Sequence, residues 1–195
     1  MLVKEFGGAL HIIAKDMKLQ VEFNPARVQA YRLIGYENRI LAAEDFKDDL
    51  KDSGDLGTGH TVTPLYEIIP TGVDTSTSIR NLDELRYQRT SARDSLRDSP
   101  EMLFIKLRYK EPTGSRSRLL SHAVRDVDGA PSSNFTFAAS VAAFGMVLRD
   151  SKYCGSVDLA AVLRWARGSV GSDLEGCRRE FVRMVKEARH LEDRS

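Results

Sequence analysis

The chain has 195 residues, with 29 Lys and Arg against 28 Asp and Glu, a formal net charge of +1. That length suffices for one large or two small domains without disulfide or metal staples, and the balanced charge provides no global field for nucleic acid, anionic lipid or an acidic substrate. Apolar residues make up 42% and charged residues 29%, and no apolar run approaches the roughly 20 residues that cross a bilayer, so no membrane-spanning helix is expected.

Leu2, Phe6, Leu10 and Ile13 recur at helical spacing, so residues 1–15 read as a short amphipathic helix weakened at Gly7 and Gly8. It lacks the basic start, continuous apolar stretch and cleavage site of a signal peptide. Leu19, Val21 and Phe23 alternate with Lys18, Gln20 and Glu22, the pattern of a half-buried strand closed by Asn24 and Pro25. A second strand is expected over 27–36, where adjacent Leu33 and Ile34 followed by Gly35 suggest a bulge or a strand buried on both faces. Further strands are expected over 60–69 and 102–110. The latter sets Leu103, Ile105, Leu107 and Tyr109 inward and Lys106, Arg108 and Lys110 outward. Residues 118–125 read as its hairpin partner across the turn from Glu111 to Ser115. Two polar stretches, 38–59 and 71–101, are longer than ordinary turns and are where function is to be sought.

From Asn134 the period changes to that of a helix, with Phe137, Val141, Phe144 and Leu148 on one face. Asp158 caps a second helix that turns Leu159, Val162, Leu163 and Ala166 inward and ends at Gly168. Ser172 and Glu175 have the spacing of a capping box, opening a third helix with the stripe Leu174, Cys177, Phe181, Met184, Val185, Ala188 and Leu191. The expected fold is therefore α+β: an antiparallel sheet or sandwich of about five or more strands over 16–130, then a three-helix subdomain over 131–195.

Candidate chemistry is sparse. Glu44, Asp45, Asp48, Asp49, Asp52 and Asp55 crowd one loop around Phe46, interrupted by Lys47 and Lys51. Carboxylates at that density suit Ca²⁺, which takes six to eight oxygens, so Asp45, Asp48, Asp49 and Asp52 form the candidate metal set, although their spacing is not that of an EF-hand. The other reading is a solvated loop anchored by Phe46, an interaction surface comprising Glu44, Asp45, Phe46, Asp48, Asp49 and His60. Asp74, Ser76 and Ser78 match the D-x-S-x-S pattern of metal-ion-dependent adhesion sites, but no parallel strand leads into them as that site requires. Gly54, Gly57 and Gly59 precede a strand, not the helix that a phosphate cradle needs.

No nucleophile or orienting carboxylate is spaced to work with His60, and His11, His122 and His190 show no ligand spacing. Cys154 and Cys177, the two cysteines, form neither a zinc nor a redox motif. Arg80, Arg86, Arg89, Arg93 and Arg97 alternate with Asp83, Glu84, Asp94 and Asp98, which reads as self-paired charge and not as a nucleic-acid face. The reading is a non-enzymatic interaction module with no catalytic residues and no cofactor, the alternative being a Ca²⁺-binding regulatory module.

Residues 11–70, with IAKDMKLQVEFNP, YRLIGYENR, EDFKDD and GTGHTVTPLYE, and residues 137–168, FAASVAAFGMVLRDSKYCGSVDLAAVLRWARG, carry a more specific signal. Together they resemble the carboxy-terminal region of bacterial von Willebrand factor type A proteins of the YfbK type, with mild departures at Asp16-Met17-Lys18 and Thr58. The resemblance implies that a von Willebrand type A domain, with its metal site, precedes this region and that residues 1–15 are its closing helix. That domain is then the first expected partner, with a further protein partner unspecified. It also implies an exported or cell-envelope setting, and it carries over no catalytic residue.

Overall fold

A computed structural model describes residues 11–35, 46–48, 53–73, 99–192 and 194. The chain divides into two compact units, Met1–Val127 and Asp128–Ser195. The first contains the strands β1 (Ile12–Phe23), β2 (Val28–Ile34), β3 (Gly54–Gly57), β4 (Leu65–Pro70), β5 (Glu101–Lys110) and β6 (Ser117–Arg125). The second contains the helices α1 (Ser133–Leu148), α2 (Leu159–Gly168) and α3 (Cys177–Glu192). The architecture is α+β, as expected.

β3, β1, β5 and β6 form a four-stranded sheet in that order, and β2 with β4 a separate two-stranded ribbon. Every pairing is antiparallel. The β1–β2 corner follows from Asn24: its side chain accepts the Ala26 N–H (3.0 Å), its carbonyl accepts the N–H groups of Arg27 and Val28, and its amide donates to the Glu101 carbonyl (2.8 Å). An asparagine side chain imitates a backbone turn in this way. The ribbon is fastened to the sheet by aromatic contact. Phe23, buried at the end of β1, stacks on Tyr31 of β2 (centroids 4.2 Å apart) and meets Tyr66 of β4 edge-on (5.4 Å).

Several sequence expectations are corrected here. Ile12–Lys15 belong to β1 and not to a closing helix; residues 1–10 lie outside the described residues. β4 begins at Leu65 and not at His60, because Pro64 has no N–H to give a ladder. The expected loop 38–59 contains β3, and the irregularity in β2 falls between Val28 and Ala30, not at Leu33–Ile34.

In the second unit Ser132 accepts the Phe135 N–H and opens α1, and Asp158 accepts the Ala161 N–H at 2.7 Å and opens α2. Ala143, Phe144, Leu159, Val162, Leu163 and Val185 make the core, with Phe181, Val182 and Ala188 packed against it. The buried side of α1 is Ser140, Ala143 and Phe144, while Val141 (44% exposed) and Leu148 (61%) face outward. α1 is apolar on nearly every side, so periodicity alone cannot choose its inner face.

The start of α3 is also corrected. Asp173, not the Ser172–Glu175 pair, accepts the N–H groups of Arg178 (3.2 Å) and Arg179 (2.9 Å). Leu174 lies in the preceding turn, almost wholly exposed, and within α3 only Val185 is fully buried, with Met184 and Leu191 outward.

Candidate functional site

The most densely connected polar group lies where β1 is interrupted. Between Lys15 and Lys18, β1 advances three residues while β5 advances two, from Lys110 to Arg108, so one residue is extra. Asp16 takes that place with φ of 50°, a left-handed conformation that Asp tolerates better than most residues. Along β1, Ala14, Lys18 and Phe23 are buried, and Leu19 is 44% exposed.

Around it the charges are brought together. Asp16 accepts a hydrogen bond from Lys110 Nζ at 2.6 Å, with the two side chains only 17% and 15% exposed. The Asp16 backbone N–H donates to Asp55 Oδ1 (3.1 Å), and the Asp16 carboxylate accepts the Ser53 N–H at 3.5 Å. Ser53 Oγ donates to the Met17 carbonyl (3.0 Å). Lys18, 5% exposed, donates its ammonium to the Asp48 carbonyl. Phe46 is also buried. Asp16, Lys18 and Lys110 therefore tie the described parts of the acidic stretch to β1 and β5. An ammonium buried in this way needs such acceptors, because desolvation penalises an unmatched charge.

Of the sequence candidates, the structure places Asp48 at this clip and buries Phe46 two residues before it, while Glu44, Asp45, Asp49 and Asp52 lie outside the described residues. Among the described residues no three His, Cys, Asp or Glu side chains are grouped to hold a metal ion. His60 is exposed, and its N–H donates to the Gly57 carbonyl (3.2 Å). His11, His122 and His190 are exposed on separate elements. Asp74–Ser78 and the arginines at 80–97 fall outside the described residues. Both thiols are free, Cys154 half-buried and Cys177 exposed. Among the described residues no helix is long and apolar enough to cross a membrane.

Sequence reasoning did not single out Asp16 or Ser53, placed Asp55 only in the acidic cluster, and read Lys18 and Lys110 as polar positions of their strands, whereas Lys18 is buried and Lys110 nearly so. The available signal was Lys15-Asp16-Met17-Lys18, a polar interruption at the head of an otherwise alternating strand.

Two side chains have displaced protonation. Burial pushes the Tyr66 hydroxyl above its ordinary range, and neighbouring Tyr31 adds to the effect. The Asp173 carboxyl is held below its ordinary range, chiefly by the Arg179 N–H and then by the Arg178 N–H and the two guanidinium charges, against the opposing effect of desolvation.

Among the described strands β6 ends the sheet order, and its Leu119 and Leu120, pointing to opposite faces, are each 55% exposed. In the helical unit one shallow depression of about 500 Å³ is lined by Val170, Gly176, Arg179, Val182 and Arg183. Another, of about 490 Å³, is lined by Leu163, Arg167, Lys186, Glu187, Arg189 and His190.

Residues 8–191 match the family model described as "Uncharacterized protein YfbK, C-terminal". The chain belongs to the YfbK C-terminal domain family. It is 37% identical over 193 residues to "Uncharacterized protein YfbK" of Escherichia coli strain K12, a match that covers 99% of this chain and 33% of that relative. The chain thus spans about a third of the length of the curated relative it matches. No solved structure matches it. The family match includes the clip, β6 and all three helices, so each belongs to the YfbK C-terminal domain and not to an appended segment.

Proposed function

We propose that this YfbK C-terminal domain is a non-enzymatic accessory module that follows a von Willebrand factor type A domain in a longer protein and gives it a protein-binding surface. The observation that carries the reading is β6. It is a nine-residue strand at the edge of the sheet, with Leu119 and Leu120 more than half exposed on its two faces. Edge strands recruit another strand through their free N–H and C=O groups unless covered or charged, and the charged residues of β6, Arg118 and Arg125, stand near its two ends and leave the middle of the strand uncharged. A third-length match to a longer relative supports the same reading, since the rest of such a protein would stand beside this domain. The clip at Asp16 fits the role of a rigid support for that edge, two strands away.

The test is calorimetric titration of this chain with the part of YfbK that precedes the matched region, supplied as a separate polypeptide. Saturable binding is expected, and Leu119→Lys with Leu120→Lys should weaken it at least about tenfold, as loss of two apolar anchors does. Absence of heat with the unmodified chain, or equal affinity for the double variant, would count against the proposal.

A further inference from the structure

Basic side chains on α2 and α3 differ in their partners. Arg178 and Arg179 are engaged with neighbours. Arg178 donates to the carbonyls of Ser169 (3.1 Å) and Val170 (3.3 Å) and to Asn134 Oδ1 (2.7 Å), and lies over the Phe137 ring. Arg179 donates to the Asp173 carbonyl (2.6 Å) and pairs with its carboxylate. These two hold the start of α3 in place. Arg167 of α2 and Lys186 and Arg189 of α3 are exposed instead, and make no hydrogen bond or ion pair with any described residue.

Those three line one depression of about 490 Å³, together with His190, the carboxylate of Glu187 and, at its floor, Leu163. Leu163 is buried in the helical core. Like charges gathered in a concave surface raise the local potential and repel one another unless an anion neutralises them. On this basis we infer that the α2–α3 depression is a binding site for an acidic peptide segment, whose carboxylates meet Arg167, Lys186 and Arg189 and whose apolar side chain rests over Leu163.

Three features select a peptide over other anions. The cations are distributed over two helices, with Lys186 and Arg189 one turn apart, which suits carboxylates spaced along a chain better than one compact phosphate. The depression is open and has an apolar floor, as grooves that receive side chains do. Among the described residues no Phe, Tyr or Trp lines it, so they offer no platform on which bases would stack. The inference rests on the reading of the domain as a protein-binding module, but it uses a different surface from β6.

The experiment uses the whole chain and a synthetic dodecapeptide with four Asp or Glu residues around a central Leu. Fluorescence anisotropy at low ionic strength should show saturable binding that weakens as salt rises. Arg167→Ser, Lys186→Ser and Arg189→Ser together should weaken binding about tenfold, while Glu187→Gln should strengthen it about twofold. A melting curve on each variant separates lost binding from lost fold, since all four side chains are exposed. No saturable binding, equal affinity for the triple variant, equal binding of the peptide's Asn and Gln counterpart, or equally effective competition by inorganic phosphate would each overturn the inference. A β6 double variant that loses the YfbK interaction yet binds the acidic peptide normally leaves this site standing. The triple variant losing only the peptide while keeping the YfbK interaction leaves the β6 reading standing.

Discussion

In the helical unit Val162, Ala166 and Val185 have no exposed surface, whereas none of the ten residues of β5, an inner strand of the sheet, is fully buried. The helices converge on a small dry core, and close packing of that kind makes every methyl group count. In the sheet, burial is spread thinly, and the innermost contacts include the Lys110–Asp16 pair and the Lys18 ammonium. The difference teaches that the helical unit gathers its burial in one dry core, whereas the described part of the sheet unit combines apolar contacts such as Phe23 on Tyr31 with partly buried charge and leaves apolar surface exposed.

The sharpest way to break that comparison is a core truncation. Phe144→Ala removes a ring that is 6% exposed and meets Phe181 edge-on at 5.5 Å, and should cost about 4 kcal/mol. Trp165, the single tryptophan of the chain, lies on α2 and reports the helical unit in a urea titration. A loss below about 1 kcal/mol would mean that the helical core can collapse around the gap, and the contrast with the sheet would disappear.

The matching test in the sheet removes charge. Lys110→Met leaves Asp16 with a missing partner at a site largely shielded from solvent and should cost about 2 kcal/mol, below the loss typical of fully buried pairs. Hydrogen exchange of the β1 and β5 amides reads the loss locally. With Asp16→Asn, a double-mutant cycle should give a coupling of about 1 kcal/mol or more; additive effects would show the clip to be decoration.

The smallest effect concerns pH. The folded Asp173 carboxyl titrates below its unfolded value of about 3.9, so its contribution is present above that pH and is lost as pH falls through the lower folded value. Trp165-monitored stability should therefore fall more steeply below pH about 4 in the parent chain than in Asp173→Asn. Identical slopes would remove Asp173 from the account of how α3 begins.

Much of the fold was legible in the sequence. The β5–β6 hairpin follows from the alternation of Leu103 through Tyr109 and the Pro-Thr-Gly turn, and α2 from the Asp158 cap. β3 was not legible, because Gly54 and Asp55 are poor strand formers and the strand exists only through its pairing with β1. The clip was not legible either. Asp16 and Lys110 are 94 residues apart, and a left-handed backbone at an aspartate leaves no periodic trace. Leu174 was misplaced because helical spacing continues through a turn that Gly176, at φ of 76°, sends elsewhere.

The bulge at Asp16 has a bearing on how the sheet is assembled. A one-residue slip of β1 against β5 would seat Leu19 where Lys18 now lies and turn the lysine out to water. The same slip would carry Phe23 out of its stack on Tyr31, so burial of that ring opposes the misalignment that covering Leu19 would favour. The acceptors of Lys18 and Lys110, the Asp48 carbonyl and the Asp16 carboxylate, act in the same sense as Phe23, which makes the bulge and its clip proofreaders of strand alignment.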